Sequence, residues 1–150
     1  MNQEEIIQIF MGFLGSLGFA IMYNIRGKKL AAAAFGGFIS WLLFLLFGSM
    51  LESEPFRYFI VSVLISAYSD VMARILKTPT TTFIITSLIP LIPGGSLYYT
   101  MANAFSGDFN DFLNNAMHTL QLAIALALGV VAVTAFTKLI YKFQDQKTKY

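Results

Sequence analysis

Residues 78–105 carry no charge, and the middle of that stretch reads Ile89-Pro90-Leu91-Ile92-Pro93-Gly94-Gly95-Ser96. A segment this apolar belongs in lipid, yet two prolines and two glycines break a helix where lipid offers no replacement hydrogen bonds. The freed backbone groups must then face protein or a polar cavity. Broken membrane helices of this kind line solute pathways.

The composition agrees with a lipid setting. With 57% hydrophobic residues, 12% charged residues and a mean hydropathy of +0.67, the chain is too apolar for an ordinary soluble domain and reads as an all-α integral membrane protein. It has no cysteine, which excludes disulfides, thiolate metal sites and cysteine nucleophiles. Glu4 and Glu5 give an acidic start where a secretory signal needs a basic one, so the first apolar stretch is expected to be retained as a span.

A hydrocarbon core of ~30 Å needs about 20 helical residues. Residues 6–25, 30–51, 56–76 and 116–141 meet that length. A fourth span in chain order, 79–105, is expected as a broken helix interrupted at Pro93-Gly94-Gly95, with Thr78 as N-cap and Pro79 at its first position. Its two halves reach across the bilayer only together; the alternative is a re-entrant helix followed by an interfacial one. Five spans follow. The connections alternate in charge: Arg26, Lys28 and Lys29; then Glu52, Glu54 and Arg57; then Arg74 and Lys77; then Asp108 and Asp111; then a tail with Lys138, Lys142, Lys147 and Lys149. The positive-inside rule then puts the N-terminus outside and the C-terminus in the cytoplasm.

Small residues recur every fourth position as Gly12, Ser16 and Ala20, and again as Ala32, Gly36 and Ser40, which lets helix backbones approach closely. The polar residues within spans are the candidates for chemistry. Asp70 lies in the third span with Arg74 one turn on, as an anchoring ion pair or as a coupling or gating carboxylate. Ser96, Tyr99, Thr100 and Asn103 share one helical face after the break, and Thr82 and Thr86 form a shorter stripe before it. Ser96 is placed to cap the second half-helix. Free amides from Gly94 to Leu97, at the positive end of its dipole, would attract an anion such as a carboxylate, with Gly94, Gly95 and Ser96 binding it and Tyr99, Thr100 and Asn103 lining the path. The competing reading is a proline kink whose threonines satisfy local carbonyls. His118 reads as interfacial, Trp41 as a packing or lipid-facing residue, and Asn24 as a helix cap or part of a vestibule. With one histidine, no cysteine and the membrane-proximal acidic pairs Glu52/Glu54 and Asp108/Asp111, there is no metal set at ligand spacing and no nucleophile beside a base. No enzyme activity, cofactor or nucleic-acid partner is expected.

Gly18-Phe19-Ala20-Ile21-Met22-Tyr23-Asn24, Ser69-Asp70 through Ala73-Arg74 with Lys77-Thr78-Pro79, and Ile89-Pro90-Leu91-Ile92-Pro93-Gly94 resemble the threonine/serine exporter (ThrE) family. Length and five spans resemble its small, YjjB-like subunit. The resemblance implies a secondary exporter of the bacterial inner membrane, driven by the proton motive force, for threonine and serine or a dicarboxylate such as succinate. It also implies a larger partner with five spans and a soluble region, or self-association. The two five-span halves would be inverted repeats, and Pro93-Gly94 with Gly107-Asp108 resembles a pair in the family's other half. A different class of role is a non-transporting structural or assembly subunit. The topology has a direct check: single cysteines replacing Glu52 and Lys142 should label from opposite membrane faces, and labelling of both from one face would overturn the five-span arrangement.

Overall fold

The computed structural model describes residues 2–147, without the side chains of Tyr141 and residues 143–147; Lys149 of the basic tail lies outside the described residues. Six α-helices and a 3-10 turn follow one another: α1 Gln3–Met22, α2 Lys28–Gly48, α3 Glu54–Ile75, α4 Thr80–Leu88, the turn Ile89–Leu91, α5 Gly94–Ser106 and α6 Phe109–Lys147. Helices α1, α2, α3 and α6 are each long and apolar enough to cross a membrane, and the bent pair Thr80–Leu91 with Gly94–Ser106 makes a fifth crossing if it is one span.

Local chemistry sets the helix ends. The Asn2 amide donates to Glu5 Oε2 at 2.8 Å, which closes the first turn of α1. Helix α1 ends with Asn24 in the left-handed region at φ 57°, and the Ile25 amide reaches back to the Ala20 carbonyl at 3.0 Å. Helix α3 ends the same way, with Lys77 at φ 48° and the Thr78 amide on the Ala73 carbonyl at 2.9 Å. Both are left-handed helix stops that satisfy the last carbonyls. Gly107, at φ 82°, stops α5, and Asp108 then caps α6 by accepting the Asp111 amide at 3.3 Å.

Two expected caps fall elsewhere. Pro79, not Thr78, holds the N-cap of α4, and the Thr78 hydroxyl turns back to donate to the Leu76 carbonyl at 3.0 Å. Pro93, not Ser96, caps α5; Ser96 lies inside the helix. The interruption itself sits one residue earlier than expected, at Ile92 and Pro93, because Pro90 tightens the chain into the 3-10 turn and Gly94 is already helical. The axes on either side differ by 60°.

Helix crossings are made by glycine against serine. An added Cβ at Gly37 would meet Ser16 Oγ, one at Gly36 would meet Ser87 Oγ, and one at Gly129 would meet Ser62 Oγ, each within 2 Å. These three contacts join α1 to α2, α2 to α4 and α3 to α6. Association in lipid depends on this closeness, since lipid tails leave no hydrophobic drive between helices. Around the crossings lie two apolar clusters. One gathers Phe44, Tyr58, Val61, Ile65, Leu91 and Leu122; the other gathers Ala20, Ala33, Ala73 and Phe83. Trp41 serves packing: it stacks on Phe44 with ring centroids 5.2 Å apart, and its indole N–H donates to Gln8 Oε1 at 3.3 Å.

Gly36→Ala should therefore destabilise the bundle by about 1–3 kcal/mol through overpacking. Adding Ser87→Gly removes the two nearest obstructing atoms, at 1.9 and 2.8 Å, and should restore most of that loss in a thermal melt of the detergent-purified chain.

Candidate functional site

The interior that these crossings enclose is lined with hydroxyls. Ser16, Ser40, Ser66, Ser69 and Ser87 are buried, and their hydroxyls have no hydrogen-bond partner among the described residues. Thr86 is also buried but satisfies itself, donating to the Thr82 and Phe83 carbonyls at 3.0 and 3.2 Å. The stripe of Thr82 and Thr86 is thus in part local carbonyl chemistry. Of the buried serines, Ser66 and Ser87 gave no signal in the sequence and Ser69 entered only through the resemblance, because a small hydroxyl among apolar residues resembles an alanine in hydropathy patterning. A four-residue relation to other small residues (Ser62 with Ser66, and Ser69 with Ala73) is the trace that could have found two of them; Ser87 has none.

Asp70 and Arg74 form the ion pair expected of their spacing. Arg74 donates to Asp70 Oδ2 from its terminal nitrogen at 2.5 Å and from Nε at 3.2 Å, and Thr137 of α6 donates to the same oxygen at 3.4 Å. Asp70 Oδ1 accepts no hydrogen bond among the described residues. The carboxylate faces a cavity of about 280 Å³ between α3, α4 and α6, lined by Ser66, Thr80, Thr81, Thr137 and Lys138 among others. A second cavity, of about 540 Å³, lies on the other side of the first turn of α4, against Asn24, Arg26, Lys29, Thr78 and Thr82. Thr81 lines both. Asn24 fills both roles open to it: it stops α1, and its Oδ1 accepts Arg26 Nε at 2.9 Å on the wall of the larger cavity.

The residues grouped downstream of the break separate. Thr100 is buried, donates to the Ser96 carbonyl at 2.8 Å and meets the Thr119 hydroxyl of α6 at 3.1 Å. Tyr99 points outward, 61% exposed and edge-on to Tyr98. Asn103 lines a small cavity of about 200 Å³ with Ala104, Gly107, Phe109 and Phe112. Gly94 and Gly95 are exposed, and a Cβ at either would meet nothing within 4 Å. The amides of Gly94 and Leu97 are satisfied by the Ile92 and Pro93 carbonyls at 2.6 and 3.1 Å. Those of Gly95 and Ser96 donate to no carbonyl among the described residues, so the open amides are two rather than the whole first turn. At the opposite end of α3 from Asp70, His118 Nε2 lies 3.2 Å from Glu54 Oε2, joining α6 to α3.

Long apolar helices, a bent pair and buried hydroxyls beside polar cavities define a multi-pass helical membrane protein. A family model described as "Threonine/Serine exporter, ThrE" matches residues 8–136, a stretch that includes Asp70, both cavities apart from Thr137 and Lys138, and the break. The chain belongs to this family, whose members are transporters rather than enzymes. Neither the curated proteins nor the solved structures gave a match.

The Asp70 to Arg74 pair links one turn of α3 to the next rather than two helices, so its own contribution to stability is small. Asp70→Asn should lower the melting stability of the detergent-purified chain by no more than about 1 kcal/mol. A much larger loss would make the pair a structural support.

Proposed function

We propose that this chain is one half of a secondary exporter that moves small carboxylate-bearing metabolites, threonine and serine or a dicarboxylate such as succinate, out across the bacterial inner membrane. The observation that carries the reading is the break: a 60° bend in an uncharged stretch, followed by a helix whose Gly95 and Ser96 amides are open and whose first two residues present no Cβ. A carboxylate can accept from such amides, with the helix dipole adding favourable field. Gly94, Gly95 and Ser96 form this site, and Tyr99, Thr100 and Asn103 continue along α5. Because Gly94 and Gly95 are open on this chain alone, the site is completed by another chain, either a larger subunit of the same family with five spans and a soluble region or a second copy.

The charge alternation places the N-terminus outside and the basic connections in the cytoplasm. Asp70 and Arg74 then lie on the cytoplasmic side of the membrane, where a carboxylate that changes partners can couple export to protons or gate it. The chain corresponds to the outside-to-inside member of an inverted pair of five-span repeats.

The test is counterflow of labelled threonine and succinate in proteoliposomes that hold this chain alone or together with the larger five-span subunit. Gly94→Val and Gly95→Val should cut flux at least tenfold, about 1.4 kcal/mol or more in barrier terms, while the amount of inserted chain stays unchanged. Variants that export at the unmodified rate would make the break a structural kink and favour an assembly role.

A further inference from the structure

One end of the bundle carries a cationic opening that the exporter reading leaves unused. The connection 23–29 between α1 and α2 and the connection 76–79 between α3 and α4 lie at that end, and together they hold Arg26, Lys28, Lys29 and Lys77 with no acidic residue. Against the first turn of α4 the two connections wall the cavity of about 540 Å³, with Arg26 and Lys29 in its lining. Neither makes an ion pair among the described residues. Like charges gathered on two short connections repel one another unless an anion stands between them. The acid nearest along the chain to either connection, Asp70, is already held by Arg74. The counter-charge must come from outside the chain.

We propose that this cavity seats the headgroup of an anionic phospholipid, with Arg26 and Lys29 on its phosphate and the Thr81 and Thr82 hydroxyls donating to the same oxygens. Basic pockets between helices at a membrane surface take such headgroups. Arg26 is prepared for the role: its Nε donates to Asn24 Oδ1 at 2.9 Å, which leaves both terminal nitrogens for a bidentate contact. Asn24 is itself fixed by the left-handed stop of α1. The Thr78 hydroxyl is occupied by the Leu76 carbonyl, whereas those of Thr81 and Thr82 make no hydrogen bond among the described residues.

The walls favour a lipid over a free phosphate. The cations and hydroxyls stand at helix ends, and the apolar lining lies beside and deeper than them: Tyr23 at the end of α1 is 57% exposed, and Ile85, one turn further into α4 than Thr81, is 47% exposed. A polar rim that gives way within one turn to open apolar side chains follows the order of headgroup and acyl chain at a membrane surface. Arg26 and Thr81 are exposed while Lys29 and Thr82 are partly buried, so the ligand enters from the side. A headgroup bound there ties the first turn of α4, the entrance of the bent pair, to the end of α1. The site is independent of which solute the exporter reading carries.

Lipid selection by the full chain in detergent, read by native mass spectrometry, tests the proposal. Offered equimolar phosphatidylglycerol and phosphatidylcholine of the same acyl chains, the chain should retain phosphatidylglycerol about threefold or more over phosphatidylcholine, whose headgroup ammonium offsets the phosphate. Arg26→Gln with Lys29→Gln should remove that preference. Lys142→Gln with Lys147→Gln, which takes the same charge from the end of α6, should leave it unchanged. A thermal melt shows whether each variant is folded. If the Arg26 and Lys29 variant does not fold, the unmodified chain decides by itself, through the lipid ratio and through competition with glycerol 3-phosphate at millimolar concentration, which carries the phosphate without acyl chains and should not release the lipid. Equal retention of the two lipids, loss of the preference in the tail variant, or a preference that survives Arg26→Gln with Lys29→Gln would each overturn the proposal. Release of the lipid by glycerol 3-phosphate would overturn it too, by making the cavity a site for a soluble phosphate ester.

Discussion

Close contact between glycine and serine at the helix crossings is the constraint on which the rest of the structure depends. In water, helices of this length would be held together by burying apolar surface, but here the surroundings are as apolar as the side chains. What remains is dispersion between closely approached backbones and weak contacts from Cα–H groups to oxygen. The three crossings at Gly36, Gly37 and Gly129 supply that closeness, each with a serine hydroxyl laid against the glycine. Larger residues there would separate α2 from α1 and α4, and α3 from α6, and the cavities beside α4 would lose their walls.

Those crossings have a second effect. Serine is small enough to sit at a crossing and polar enough to leave a hydroxyl inside it, so packing by small residues gives a lipid-embedded bundle a polar interior. Asp70 lies at the edge of this interior, beside Ser66 and Ser69, with Thr137 facing it from α6. The carboxylate therefore stands where hydroxyls, a guanidinium and a lysine share the cost of its charge. Nothing comparable surrounds Gly94 and Gly95, which are open. The molecule thus carries one polar region bounded by its own helices, whereas the residues just after the break lie exposed.

Much of this was legible in the sequence. Long uncharged stretches gave the first three helices to within three residues, whereas α6 runs several residues beyond the expected 116–141 at each end; proline and glycine placed the break, and four-residue spacing joined Asp70 to Arg74. What could not be read was how the helices face one another. Ser66 and Ser87 look like neutral fillers until α2, α4 and α6 are laid beside them. The face shared by Tyr99 and Thr100 was sound as periodicity, yet the structure sends the threonine against α6 and leaves the tyrosine outside. Thr78 and Ser96 had the right residue type for caps, but the prolines before the two half-helices took those positions, because a residue with fixed φ and no amide donor suits a helix entrance.

The length of α6 bears on how the bent pair can move. Its 39 residues make a rod of roughly 58 Å, about twice the thickness of the hydrocarbon layer. Helix α5 is fastened to this rod, through Thr100 and Thr119 among other contacts, whereas α4 is held by α2 and α3. Ile92 and Pro93 link the two halves along the chain, and α6 joins them again by packing on both α3 and α5. The second half of the bent pair is thus tied to the bundle twice, once along the chain and once through a helix that overshoots the hydrocarbon layer, so its orientation is set by the seat of α6 on α3 as much as by the break.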